Sequence, residues 1–253
     1  MEKVNINSLI KDAQRGNASS QFKLGLAYYK GEDLKQDFER AFHWFSKAVD
    51  EEKQASYYLA LCYKNGTGVK KNINKSIEYL TIAAEDNVLA QYSLATIYYV
   101  GEQTKQDYKK AFIYYEKAAH NGLVEAQYNL AICYAEGQGV KKQPDKAFYW
   151  YQETCKQKFA MGQYSLGRCY EFGIGIGKFE EMAFFWYQNS ANQNYKEAMY
   201  SLASCYERGF GTNKDENKAG YWYDKAAKLN YQPAIDKRNE YKKGLFNHYR
   251  RIR

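Results

Sequence analysis

The sequence predicts an all-α solenoid of antiparallel helix pairs, about six repeats long and closed by a capping helix. Tyr recurs at Tyr28, Tyr63, Tyr98, Tyr134, Tyr170 and Tyr206, at intervals of 35 or 36 residues. Around each Tyr, small and aliphatic residues fall at offsets that share one side of a 3.6-residue helix. Each run then ends on a glycine, and a second helical pattern follows. A fixed period in this range marks units that bury a face only against their neighbours, so they stack.

The elements follow in order. Residues 1–17 hold a short lead helix, 18–230 the six repeats, and 231–253 a capping helix, expected over about 233–248, with a basic tail. No linker long enough to split the chain is visible, so one solenoid domain over 1–253 is expected. Each repeat opens with a helix, A. Four residues before each Tyr lies Leu24, Leu59, Leu94, Leu130, Leu166 or Leu202, and the residue after each Leu is Gly or Ala. Four before each Leu is another small residue: Ser20, Ala55, Ala90, Ala126, Gly162, Ala198. Small positions let a second helix approach closely. Three residues past each Tyr comes Gly31, Gly66, Gly101, Gly137, Gly173 or Gly209, suited to a left-handed helix end.

The second helix, B, carries Ala41, Ser76, Ala111, Ala147, Ala183 and Ala219 in phase. Aromatics follow at Trp44, Tyr79, Tyr114, Trp150, Trp186 and Trp222, and these are expected in the core. Small residues complete the face at Ala48, Ala83, Ala118, Thr154, Ser190 and Ala226. Asp37, Asn72, Asp107 and Asp215 stand where an N-cap belongs. In repeat four Gln143 takes that place, with Pro144 at the first helical position. In repeat five Phe179 replaces the cap, which predicts a looser connection. The step from 35 to 36 residues falls in the B-to-A turn from repeat three onward.

The combined pattern, A-x-x-x-LG-x-x-Y-x-x-G-x-GV-x-x-D-x-x-KA-x-x-W-x-x-KAA, resembles the Sel-1-like repeat, a relative of the tetratricopeptide repeat. The segment AQYNLAICYAEGQGVKKQPDKAFYWY (Ala126–Tyr151) carries it closely. The resemblance covers over four fifths of the chain. It implies a right-handed superhelix acting as an adaptor that binds proteins along a groove, and many members are bacterial. Some cysteine-rich relatives hold a disulfide in each repeat. Here Cys62, Cys133, Cys169 and Cys205 recur one repeat apart and Cys155 stands alone. Thiols on successive stacked helices sit roughly 15–20 Å apart, too far to pair, so they read as small buried hydrophobes.

In such a stack, the side of helix A opposite its packed face lines the concave surface. Two residues before each Leu the series is Phe22, Tyr57, Tyr92, Tyr128, Tyr164 and Tyr200. At +2 it varies through Leu26, Leu61, Thr96, Ile132, Arg168 and Ser204, and at +5 through Tyr29, Lys64, Tyr99, Ala135, Glu171 and Glu207. The candidate partner contacts are therefore Tyr57, Tyr92, Tyr128, Tyr164 and Tyr200, with Tyr99, Arg168, Glu171 and Glu207. Two roles stay open for the rings: contact with a partner, or packing against the next A helix.

The composition narrows the class. The chain has 253 residues, 45% hydrophobic, 27 Tyr, only 2 Pro and a net charge of +8. Its mean hydropathy is −0.76, and no apolar run approaches the roughly 18 residues that span a bilayer. The N-terminal residues lack the apolar core of a secretory signal, so a cytoplasmic location is expected, with export by another route as the exception. His43, His120 and His248 occupy unrelated positions, and no H-E-x-x-H, G-x-S-x-G or P-loop pattern occurs. The stretch GIGIGKF (Gly173–Phe179) lies in the same A–B turn as its counterparts. No catalytic site, metal, cofactor or small-molecule substrate is expected. Residues 236–253 carry Lys237, Arg238, Lys242, Lys243, Arg250, Arg251 and Arg253 against Asp236 and Glu240, net +5. The leading expectation is a protein-binding adaptor. An inhibitor or immunity protein that wraps a toxin is the narrower alternative. A nucleic-acid or anionic-surface binder would rest on the tail alone.

Overall fold

The structure, a computed structural model, describes residues 6–101, 104–243 and 249–251. The chain divides into two compact units, Met1–Asn121 and Gly122–Arg253. The first holds α1 (Ile6–Gln14), α2 (Ala18–Lys30), α3 (Phe38–Ala48), α4 (Gln54–Asn65), α5 (Ile73–Ala83), α6 (Val88–Val100) and α7 (Tyr108–His120). The second holds α8 (Val124–Glu136), α9 (Pro144–Lys156), α10 (Ala160–Phe172), α11 (Glu180–Asn192), α12 (Lys196–Arg208), α13 (Glu216–Lys228), α14 (Gln232–Arg238), β1 (Tyr241–Lys243) and β2 (Tyr249–Arg251). The fold is all-α in character, and from α2 to α13 the even helices are the A helices and the odd ones the B helices.

The local rules hold. All six A helices close on their glycine in the left-handed region, φ between 72° and 76°. Asp37, Asn72, Asp107 and Asp215 each accept a bond from the backbone N–H three residues on. Each A–B turn is also locked by a backbone bond to the repeat Tyr carbonyl, as from Asn72 N to Tyr63 O at 2.8 Å. Gln143 and Phe179 cap no backbone group with their side chains. Repeat five nonetheless keeps the common turn, with Phe179 N donating to Tyr170 O at 3.0 Å, so its connection is not looser. Its Gly175 sits at φ 71°, and a Cβ there would run into the Pro144 carbonyl at the start of α9. Gly175 of GIGIGKF thus serves the fit between successive repeats.

The core follows the small–Leu–small pattern. Every repeat Leu is buried, as are the small residues facing it on the B helices. One expectation shifts by a residue. The Trp series on helix B is half-buried apart from Trp150, which is 9% exposed. The residue after each is the deep one: Phe45, Leu80, Tyr115, Tyr151, Tyr187, Tyr223. Ala41, Phe45 and Ala48 are spaced four and three apart, so they share the inner face and Trp44 sits on its shoulder. All five cysteines are free and buried, and burial pushes Cys133, Cys155, Cys169 and Cys205 up to about 12.

The ends depart from the repeat. At the start, α1 stands in for a B helix: Ala13 and Leu9 lie 35 residues before Ala48 and Trp44, and both are buried beside Leu24. At the other end the expected capping helix forms as α14 but is shorter than the expected span of about 233–248, of which residues 244–248 lie outside the described residues. Helix α14 stops at Arg238, where the repeat would place a core Leu and a cation cannot be buried unpaired. The chain turns into an antiparallel hairpin pairing Tyr241 with Arg251 and Lys243 with Tyr249. Gly220 makes room for it, standing where earlier repeats have Phe42, Ile77, Phe112, Phe148 and Phe184. A Cβ at Gly220 would collide with Tyr249. The Tyr249 hydroxyl donates to Asp224 at 2.8 Å, and its N–H donates to Asn217 Oδ1 at 2.8 Å. The tail side chains of Lys242, Lys243, Arg250, Arg251 and Arg253 lie outside the described residues.

Candidate functional site

The side of the A helices predicted to face a groove is built from rings that pack against one another. In the first unit, Phe22 is buried between Phe45 and Tyr58, at ring centroids of 6.0 and 5.6 Å. Tyr57 is half-buried, and Tyr92 lies 5.9 Å from Tyr115. Tyr99 packs edge-on to Tyr108 at 5.3 Å and to Tyr115 at 6.0 Å. A cleft of about 420 Å³ opens beside Tyr57 and Tyr58, lined also by Lys53, Asp86 and the exposed Ile82 and Leu89. In the second unit each ring meets two others. Tyr128 touches Tyr151 and Phe159, Tyr164 touches Tyr187 and Tyr195, and Tyr200 touches Tyr223 and Tyr231, all between 5.3 and 5.9 Å. The ring stripe therefore packs, and each of its tyrosines keeps a partly exposed edge while Phe22 is buried.

Two ring series escaped the sequence reading. One is the deep helix-B series ending in Tyr187 and Tyr223. Its four-three spacing with the small residues was the available signal. The other is Phe159, Tyr195 and Tyr231, which stand at the N-cap positions of α10, α12 and α14 without bonding the cap. Nothing in helical periodicity marks a residue that lies outside the helix.

Around the deep rings of the second unit the predicted carboxylates find their partners. The Tyr187 hydroxyl donates to Glu171 Oε2 at 2.6 Å, and Arg208 donates to Glu171 Oε1 at 3.1 Å. One repeat on, the Tyr223 hydroxyl donates to Glu207 Oε2 at 2.8 Å, and Lys237 donates to Glu207 Oε1 at 3.2 Å. Each carboxylate thus ties its own B helix to the next A helix. Burial first, then the carboxylate, pushes both phenols far up, so they stay protonated donors. Arg168 is exposed, its guanidinium 5.6 Å from the Phe172 ring centroid.

An amide set that joins the buried Gln91, Gln127 and Gln163 to exposed donors, also unread in the sequence, links repeats below this face. Gln157 donates to Gln127 Oε1 at 3.0 Å and to Gly122 O at 3.1 Å, and Gln193 donates to Gln163 Oε1 at 2.8 Å. In the first unit Asn121 donates to Gln91 Oε1 at 3.1 Å. Among the described residues no group of three or more His, Cys, Asp or Glu could hold a metal ion. Among the same residues no helix is long and apolar enough to cross a membrane. The arrangement offers ring edges, a few fixed charges and exposed apolar side chains, which suit recognition of another surface.

Comparison with known proteins places the repeats. The Sel1 repeat matches at residues 18–52, 53–88, 88–123, 124–159, 160–195 and 196–231. The fold is similar to that of c5321, a protective antigen present in uropathogenic Escherichia coli strains displaying an SLR fold. That match has 27% identity and a TM-score of 0.88, and it covers 93% of this chain and 51% of the other. It is similar also to a Sel1 repeat protein from Oxalobacter formigenes, with 30% identity, a TM-score of 0.70, and 83% and 85% of the two chains covered. Over 39 residues the sequence is 54% identical to HRD3A of Arabidopsis thaliana, an ERAD-associated E3 ubiquitin-protein ligase component. That stretch is 15% of this chain and 6% of HRD3A, so the chain spans about half of the bacterial antigen and a small part of the plant protein.

Proposed function

The chain belongs to the Sel1 repeat family, and from that premise we propose that it is a non-enzymatic adaptor binding a protein partner in the groove of a single solenoid domain. One observation carries the reading. The Leu and small positions of helix A scarcely change from repeat to repeat, whereas the groove positions beside them run through Leu, Ile, Thr, Arg, Ser, Tyr, Lys, Ala and Glu. Core positions are fixed by packing, so a face free to change on a constant scaffold is where specificity can be written. Half-exposed aromatic edges supply anchoring area beside it. The reading places the protein in the cytoplasm, which five unpaired, buried thiols support.

The test identifies the partner by affinity purification from the native host and then measures its affinity for variants. Arg168 is exposed and Glu171 half-buried, so Arg168→Glu should leave the circular dichroism and melting temperature unchanged. It should weaken the partner at least tenfold. Tyr128→Ala and Tyr164→Ala should do the same at some cost in stability, because both rings also pack. Unaltered affinity in all three folded variants would remove the groove assignment.

A further inference from the structure

Glu197, a carboxylate on the side of helix A predicted to face the groove, makes no ion pair among the described residues. Glu197 stands five residues before Leu202, on the line occupied elsewhere by Ser19, Gln54, Leu89, Glu125 and Met161. Its Oε2 is buried and has no hydrogen-bond partner among the described residues. Glu171 and Glu207 contrast with it, since each holds both a phenol and a cation. A carboxylate oxygen withdrawn from water without a donor is unfavourable, so the site is poised for one.

Its surroundings are aromatic. Tyr195 precedes α12 and lies 5.4 Å from Tyr164 on the preceding A helix. Tyr231 precedes α14 and lies 5.6 Å from Tyr200. Glu197 is near enough that its charge contributes to raising the phenols of Tyr164, Tyr195 and Tyr231, each raised first by burial. A cation already favours this ring set, as the Lys196 ammonium lies 6.0 Å from the Tyr231 centroid. Ring faces attract cations, and an adjacent buried carboxylate adds a charged acceptor. At the N-cap positions the earlier repeats have Asn17, Lys53, Asn87, Leu123 and Phe159, so two phenols flank the acid only here.

We propose that Glu197 with the rings of Tyr164, Tyr195 and Tyr231 forms a socket for the cationic side chain, arginine or lysine, of the protein partner. The inference rests on the groove reading above and adds to it one chemically defined anchor. A guanidinium or ammonium entering the socket donates to Oε2 while its alkyl stem and charge lie against the rings.

The experiment needs no partner. The full chain labelled with carbon-13 at the tyrosine rings is titrated with N-acetyl-arginine amide, N-acetyl-lysine amide and tetramethylammonium chloride, followed by NMR. The expected result is saturable shifts of Tyr164, Tyr195 and Tyr231 with the arginine or lysine amide. In Glu197→Gln the affinity falls at least tenfold. Equal titration of wild type and Glu197→Gln overturns the socket, as does silence of the three rings. Tighter binding of tetramethylammonium than of either amide overturns the side-chain assignment in favour of a small quaternary amine. Glu197→Gln keeps the shape of the side chain. If it nevertheless fails to fold, Tyr231→Leu replaces it under the same criteria. A failed titration with Arg168→Glu still weakening the purified partner removes the socket alone, whereas loss of both removes the groove reading too.

Discussion

The two units build the same groove position from different chemistry. Five residues after the A-helix Leu, the first unit has Tyr29 and Tyr99 with Lys64 between them, and the second has Ala135 and then Glu171 and Glu207. In the first, the position is filled by ring contacts: Tyr29 lies 6.1 Å from Phe45 and 5.7 Å from Tyr58. In the second, a carboxylate takes a phenol donor from its own B helix and a cation from the next A helix. The backbone repeat is unchanged by the exchange. The scaffold therefore fixes where such a residue stands and leaves its chemistry open.

The contrast can be broken at three points. The largest expected effect is alkaline. Tyr187 and Tyr223 have phenols raised by burial and then by their carboxylates, while unfolded Tyr titrates near about 10. A raised folded pKa gives stability that is intact below the unfolded value and lost as pH climbs above it. Each phenol should then cost the second unit about 1.4 kcal/mol per pH unit beyond about pH 10. Hydrogen exchange across α10–α13 against α2–α4 should show the second unit opening first. If both units loosen together, the carboxylate pairs are not what distinguishes them.

Next come the hydroxyls themselves. Tyr187→Phe and Tyr223→Phe each remove the donor to a partly buried carboxylate, at an expected cost of about 1–3 kcal/mol in denaturant unfolding. Tyr29→Phe, where rings meet rings, should stay within about 0.5 kcal/mol. Comparable losses at all three positions would make the two groove chemistries energetically alike.

The smallest effect lies in the turns. The residue gained between B and A helices appears in the second unit as a left-handed position: Gly122, then Lys158, Asn194 and Asn230 at φ 57°, 64° and 56°. Lys158→Gly should raise stability by about 0.5–1 kcal/mol by relieving that strain. Glu51→Gly, in a first-unit connection of a 35-residue interval without such a residue, should lower it by a similar amount. Thermal melts of the two variants decide the sign.

Much of the fold was legible because its signals are local. The Leu, Gly and Asp series state helix faces and ends directly, and the structure keeps them. The depth of the helix-B residues was not legible. Trp44 and Phe45 are neighbours on one helix, and which goes deeper depends on the angle at which the A helix crosses. The length of the capping helix was hidden for a related reason. The sequence alone allows the helix to run on past Arg238, but the strands Tyr241–Lys243 and Tyr249–Arg251 depend on Gly220, and on Asn217 and Asp224, 32 and 25 residues before the Tyr249 that bonds them. Among the candidate groove residues, position was readable from spacing. Partnership was not, because Glu171 meets Tyr187 and Arg208 only after three helices have packed.

By itself the sequence determined the repeat: which residues form helices, where each helix stops, and that six pairs share one pattern. These depend on intervals of three, four and about 36 residues, which a linear chain displays openly. Tertiary structure alone decided which of two neighbouring rings is buried, and which acid is satisfied. It also decided that Gly162 must stay small because Thr154 fills the space that a Cβ there would need. Those outcomes turn on distances of a few ångströms between segments far apart in the chain, and only the packed helices set them.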